Sequence, residues 1–113
     1  MINQTLKVIL ALNVFVIFVA NAESEAPVDA SKIVSEVCVA CHGQDGNAMV
    51  TGAPKLGGQK ADYLTKALMD YKNGTRNNAI MAAFSVALTE EEMEALGKYF
   101  EAQPSSLYVP DGN

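Results

Sequence analysis

The side chains best able to carry chemistry stand together in one pentapeptide, Cys38-Val39-Ala40-Cys41-His42. It holds both cysteines and the single histidine of the 113-residue chain. Cysteines at positions i and i+3 project from one face of a helix, and the histidine follows them directly. This concentration of reactive groups indicates one site, for a metal or a redox group.

Four kinds of site contain such a pattern. A disulfide across a two-residue gap would stabilise little, because loop-closure entropy grows with loop length. A thioredoxin-type pair follows a β-strand, and the sequence has no strand pattern; a structural zinc site needs four ligands, and there is no second cluster. Cys-x-x-Cys-His is also the attachment signature of c-type haem. Haem is favoured, since Cys38 and Cys41 match the two vinyl-derived positions of a haem edge and His42 can turn under the iron.

A second iron ligand is expected, because haem iron in electron-transfer proteins is generally held by two protein ligands. No other histidine exists, so a methionine is predicted, from positions 49, 69, 81 and 93. Met93 lies on the apolar stripe of a predicted helix and Met69 beside another, so both are expected to pack in the core. Met49 follows His42 so closely that reaching the opposite haem face would strain the loop. Met81 lies in an irregular stretch between two helices and is the predicted ligand.

The first 22 residues have the pattern of a secretory signal peptide. Lys7 precedes an apolar run from Val8 to Ala20, shorter than the roughly 20 residues of a membrane-spanning helix. Ala20 and Ala22 supply the small-x-small pattern of a cleavage site. We expect cleavage after Ala22 and export to the periplasm, with a retained anchor as the alternative.

The charge balance narrows the class of partner. Cleavage would remove Lys7, one of 8 basic residues, and none of the 13 acidic residues, so the formal charge changes from −5 to −6. Nucleic acid, which requires a basic surface, is therefore not an expected partner. The charge favours redox proteins with a basic docking face. No small-molecule substrate is expected, and membrane contact only through partner complexes or a retained signal.

Hydrophobic periodicity and turn residues divide the rest of the chain into helices and loops. The predicted segments are an acidic leader over 23–30, a folded domain over 31–103 and a tail over 104–113. Within the domain the sequence predicts helices over Ser31–Cys41 and Lys60–Asn73, a glycine-rich loop over Gly43–Gly58, a short helix within Ala79–Leu88, and a last helix that stops before Pro104.

Local signals define the two longer helices. The stripe of the second is Leu64, Ala67, Leu68 and Tyr71; that of the last is Met93, Leu96, Gly97 and Phe100. Gly74 is predicted to cap the second helix. Asp62 and Lys66 are expected to pair at i,i+4. Thr89 and Glu92 have the spacing of a capping box.

Several short motifs cover about residues 31–103. They are Cys38 to Gly43, Asp45 to Asn47, Pro54 to Gln59, Tyr63-Leu64, Gly74 to Met81, Leu88 to Glu92, and Leu96 to Tyr99. Together they resemble small bacterial class I cytochromes c, and most closely one half of the periplasmic two-haem cytochromes c. A second Cys-x-x-Cys-His is missing, so one haem c is expected.

The resemblance implies an all-α fold, with three main helices and loops around one covalently bound haem. It implies thioether bonds at Cys38 and Cys41, axial iron ligation by His42 and Met81, and a Pro54 carbonyl that accepts the His42 Nδ1–H. Arg76 is a candidate beside a haem propionate, with a solvated loop arginine as the alternative.

The function implied by the resemblance is that of a single-electron carrier rather than an enzyme, with iron cycling between Fe(III) and Fe(II) in a respiratory or other redox chain. Three alternatives remain open. They are an electron-transfer subunit of a larger haem-containing oxidoreductase complex, a haem peroxidase, and a haemless binding module with a disulfide.

Overall fold

The computed structural model describes residues 26–106. The predicted signal peptide, residues 23–25 of the leader and residues 107–113 of the tail lie outside the described residues. Within the described range the secondary structure is entirely helical, so the predicted all-α class is confirmed. None of the helices in this range is both long and apolar enough to cross a membrane.

Four helices make up the fold of residues 26–106. Helix α1 runs without interruption through an α-helical stretch Ala30–Ile33, a π-helical stretch Val34–Cys38 and an α-helical stretch Val39–His42. Helices α2, α3 and α4 span Ala61–Asn73, Ala79–Ser85 and Glu90–Glu101. The predicted helices are thus present, with ends that differ by a few residues.

The π-helical turn of α1 was not predicted. The Asp29 side chain caps the helix by accepting from the Lys32 backbone N–H at 3.1 Å, and Val34 is fully buried. Regular α-helical spacing would put Val37 and Cys41 on the stripe of Val34. Both are exposed instead and line a cleft, while Cys38, at the end of the π turn, packs against the core.

Helices α2 and α4 pack closely against each other. Their approach depends on Gly97, where a Cβ would lie 2.7 Å from the Ala61 carbonyl oxygen. Thr89 and Glu92 form both bonds of the predicted capping box. The buried residues of α4 are Met93, Leu96, Gly97 and Phe100, so the predicted stripe is confirmed.

The other local signals of α2 gave mixed results. Gly74 ends the helix in the left-handed conformation, at φ 77°, as predicted for a glycine cap. The expected Asp62–Lys66 pair is wrong, because Lys66 binds Asp70. Asp62 lies in the first turn of α2, where the helix dipole stabilises a carboxylate without a partner.

The core is small and is formed where α1, α2 and α4 meet. Its buried cluster is Val34, Leu64, Leu96 and Phe100. Leu56 from the long loop and Leu68 from α2 pack at its edge, partly buried. A domain with so few buried side chains has little hydrophobic stabilisation of its own, and an open cleft adjoins this core.

Candidate haem site

The cleft lies between α1, the long loop, α2 and α3, and its inner cavity has a volume of about 200 Å³. An inner cavity beside the core and an outer cavity at the mouth share seven lining residues, so the two are continuous. The shared residues are Val37, Cys38, His42, Pro54, Tyr71, Met81 and Phe84.

His42 is the last residue of α1 and is only 7% exposed. Its Nδ1 donates to the Pro54 carbonyl oxygen, with 2.9 Å between the two atoms. A ligating histidine is usually oriented in this way by an acceptor on its other ring nitrogen. Nδ1 is therefore engaged as a donor, and Nε2 is the nitrogen left to coordinate a metal.

The two cysteine thiols are free and face the same cleft. Cys38 lies at the end of the π turn, partly buried and in contact with the core. Burial raises the pKa of the Cys38 thiol above its ordinary value, because a thiolate is poorly solvated there. Cys41 is exposed at the mouth. One thiol is therefore inside the cleft and the other at its edge, both within one turn of His42.

Met81 lines both the inner and the outer cavity. Met81 lies in the first turn of α3, the short helix predicted within Ala79–Leu88, and its backbone N–H donates to Asn78 Oδ1 at 3.0 Å.

The other methionines among the described residues lie away from the cleft. Met93 is fully buried in α4, as expected. Met69 is partly buried and lines a separate groove beside α4. Met49 is 72% exposed, and its backbone N–H donates to the Cys41 carbonyl at the end of α1. Met81 is thus the methionine that the fold brings to the cysteines and His42.

Arg76 lines the inner cavity between two tyrosines that sequence reasoning had not assigned to the site. Its Nη1 donates to Tyr63 Oη at 3.4 Å, and its guanidinium carbon lies 4.9 Å from the centre of the Tyr71 ring. The Tyr63 hydrogen bond raises the pKa of Arg76. An exposed cation therefore stands beside two aromatic rings at the wall of the cleft. Tyr71 belonged to the predicted apolar stripe of α2. A helix face that lines a cavity has the same spacing of apolar residues as one that packs in the core, so the sequence did not distinguish the two.

These residues fit a covalently attached haem. Two free thiols, an oriented imidazole and a thioether share one apolar cleft, and a cation stands at its wall. Among the described residues, no group of three or more His, Cys, Asp or Glu side chains is placed to hold a metal ion. His42 and Met81, which come from different helices and line the same cleft, are of the residue types that hold haem iron in electron-transfer proteins.

Comparison with known proteins identifies relatives of the chain. The family described as "Cytochrome C oxidase, cbb3-type, subunit III" matches residues 25–100. Cytochrome c4 of Thiocapsa roseopersicina is 43% identical over 75 residues, which are 66% of this chain and 38% of that protein. Cytochrome c-553 of Helicobacter pylori is 36% identical over 94 residues, which are 82% of this chain and 93% of that protein.

A solved structure agrees with these relatives. The crystal structure of reduced recombinant cytochrome c4 from Pseudomonas stutzeri matches with a TM-score of 0.60 and 31% identity, over 66% of this chain and 46% of that one. The chain spans only 35–62% of the length of four curated relatives that it matches. The resemblance to class I cytochromes c, and to one half of a longer one, is confirmed.

Proposed function

The chain belongs to the cytochrome c family, and we propose that it is an exported monohaem cytochrome that carries single electrons between redox proteins. Family membership gives the cofactor, haem c with its iron, bound covalently. The observation that carries the proposal is the meeting of Cys38, Cys41, His42 and Met81 at one cleft.

Each of the four residues has a distinct role in this proposal. Cys38 and Cys41 would hold the cofactor by thioether bonds, and His42 and Met81 would coordinate its iron. When bound, the haem supplies an iron centre that gains and loses one electron. With His42 and Met81 both bound to the iron, no coordination position would be left for a substrate. The chain then acts as a carrier and not as an enzyme.

Pro54 and Arg76 complete the site in this proposal. The Pro54 carbonyl fixes the tautomer and the ring orientation of His42 and raises its basicity as a ligand. Arg76, which contacts Tyr63 and Tyr71 at the inner cavity, would pair with a carboxylate of the cofactor. Each interaction would stabilise the oxidised iron and the reduced iron to different extents, and this difference would shift the reduction potential.

Location and partners are inferred from the charge and from the N-terminal segment. We propose cleavage after Ala22, residence in the periplasm, and association with proteins that present a basic face to the acidic surface. Such redox encounters bury little surface and are transient. A membrane would be met only through those partners, or through a retained signal.

A fixed electron-transfer subunit of a larger oxidoreductase complex is the second candidate. The matched family is named for an oxidase subunit, and this name favours it over a haem peroxidase. A subunit would co-purify at fixed stoichiometry with the other chains of its complex, whereas a free carrier would be recovered alone. A peroxidase would bind small exogenous ligands in the ferrous state, which a filled axial position prevents.

The substitution Met81→Ala tests the ligand assignment, with Met69→Ala as the matched control from outside the cleft. We expect Met81→Ala to keep its covalent haem and to lose reduction potential on the order of 100 mV, within the roughly 0.8 V over which axial ligands set haem potentials. Met69→Ala should keep the wild-type potential and spectrum. A wild-type potential and spectrum in Met81→Ala would contradict the proposed iron ligation.

A further inference from the structure

The end of α4 contacts the long loop on both sides of Pro54. We call residues Tyr99 to Pro104 the clamp. Upstream of Pro54, Tyr99 binds Gln44; downstream, the Phe100 carbonyl accepts from the Gly58 N–H at 2.9 Å. Pro54, whose carbonyl orients His42, therefore lies between two loop segments that both bind the same end of α4.

The upstream attachment is a reciprocal pair of hydrogen bonds. Gln44 Nε2 donates to Tyr99 Oη at 2.9 Å, and Tyr99 Oη donates to the Gln44 backbone carbonyl at 2.9 Å. Gln44 comes two residues after His42. The Tyr99 ring packs edge-on against Phe100, with 5.3 Å between ring centres. One phenol therefore fixes both the backbone and the side chain of the loop directly after the histidine.

Around the downstream attachment, the two halves of the loop lie close to each other and to the clamp. The Gly46 carbonyl accepts from Leu56 at 2.7 Å and from Gly57 at 3.1 Å. A Cβ on Gly46 would lie 2.8 Å from Phe100 Cδ1, and a Cβ on Gly57 would lie 2.8 Å from the Pro104 carbonyl oxygen. The two halves of the loop are thus pressed together against the clamp, with no room for either to move inward.

We propose that the clamp positions His42, with Tyr99 and Gln44 as positioning residues. Its effect passes through the loop to the Pro54 carbonyl, which holds Nδ1 at 2.9 Å. Hydrogen bonds weaken steeply when distance or angle departs from this geometry. The inference rests on the proposed function in one respect: His42 matters to the iron only as its axial ligand.

The test compares three variants of the holoprotein with the wild type. Tyr99→Phe keeps the ring and its packing on Phe100 but removes both hydrogen bonds to Gln44. Gln44→Ala removes only the bond from the side chain, since the backbone carbonyl remains. Thr89→Ala removes the N-terminal cap of the same helix, at the end opposite the clamp, and controls for a general loss of helix stability.

The readout is the exchange of the His42 Nδ1 proton with solvent, measured by NMR on the ferrous protein. We expect Tyr99→Phe to accelerate this exchange about tenfold, equivalent to about 1.4 kcal/mol of easier local opening. Gln44→Ala should give a smaller acceleration, and Thr89→Ala should remain within about twofold of wild type. If Tyr99 only stabilised the helix, Tyr99→Phe and Thr89→Ala would accelerate the exchange equally.

Two results would overturn the clamp. One is a Tyr99→Phe exchange rate equal to wild type, and the other is an equal acceleration in Tyr99→Phe and Thr89→Ala. The absorption spectrum of the same samples reports on iron ligation. A wild-type protein without histidine ligation would contradict the proposed function, while the differences in exchange rate between variants, which report on opening of the Pro54 hydrogen bond, would still decide the clamp.

Discussion

Gly46→Ala tests whether close backbone packing holds the loop that orients His42. Gly46 has φ +74°, and a Cβ there would lie 2.5 Å from the Gly57 nitrogen and 2.8 Å from Phe100 Cδ1. Gly52 provides the matched control, since it lies in the same loop at φ +91° with nothing within 4 Å of an added Cβ. The two substitutions share the backbone strain and differ in the contact.

Backbone strain and steric contact set the expected magnitudes. A Cβ in the left-handed region costs about 1–2 kcal/mol, and the lower entropy of unfolded alanine offsets about 0.4–1 kcal/mol of that. Gly52→Ala should therefore destabilise by about 1 kcal/mol. Gly46→Ala adds an overpacking cost of about 1–3 kcal/mol. Backbone atoms crowd its Cβ, and the Gly57 N–H is bound to the Gly46 carbonyl, so little relief is available.

Thermal unfolding of the two holoproteins, followed by circular dichroism, measures the difference. A gap of about 2 kcal/mol corresponds to about 8–16 °C in Tm for a domain of this size. Gly46→Ala should also accelerate exchange of the His42 ring proton, whereas Gly52→Ala should not. Equal Tm values for the two variants would refute the reasoning, because backbone strain alone would then account for both.

Three further predictions concern the loop and the surface. Ala48 has φ +62°, so Ala48→Gly should relieve about 1–2 kcal/mol of strain and stabilise the fold by about 0.5–1 kcal/mol net; a lower Tm would contradict this. Hydrogen bonds from Asn47 hold the pKa of Asp45 below its ordinary value, so Asp45 stabilises the fold above the unfolded pKa of about 3.9, and this contribution is lost as pH falls through the folded pKa. Asp45→Asn should therefore lose less stability than wild type between about pH 5 and pH 3, and parallel acid-unfolding curves would be the opposing result. Reduction by a basic partner should slow as ionic strength rises, because salt screens surface charges beyond about 10 Å at 0.1 M; a flat dependence would favour docking through exposed apolar residues such as Val50 and Ile80.

The features that sequence predicted best are those set by neighbouring residues. The capping box of Thr89 and Glu92 and the buried stripe of α4 depend on positions three or four apart, so they could be identified without knowing the fold. The Cys38–His42 motif is local in the same sense. Met81 was reached by eliminating the other methionines, and the fold brings it to the cleft on the short helix predicted within Ala79–Leu88.

The features that sequence missed depend on tertiary contacts. The π turn of α1 changes the register within one helix, and nothing in the residues Val34–Cys38 marks it beforehand. The bond between Gln44 and Tyr99 joins residues 55 positions apart, so it requires the three-dimensional path of the loop. Lys66 had acidic residues on both sides at i±4, and spacing alone could not choose Asp70 over Asp62.

The central claim is that Cys38 and Cys41 carry one covalent haem on an exported chain. The most direct measurement combines a pyridine haemochrome spectrum with an intact mass, on protein exported from a host with haem-attachment machinery. We predict one c-type haem on a chain that begins at Glu23. A haem-free chain, lighter by two hydrogen atoms, would show that the two cysteines form a disulfide and would contradict the electron-carrier account.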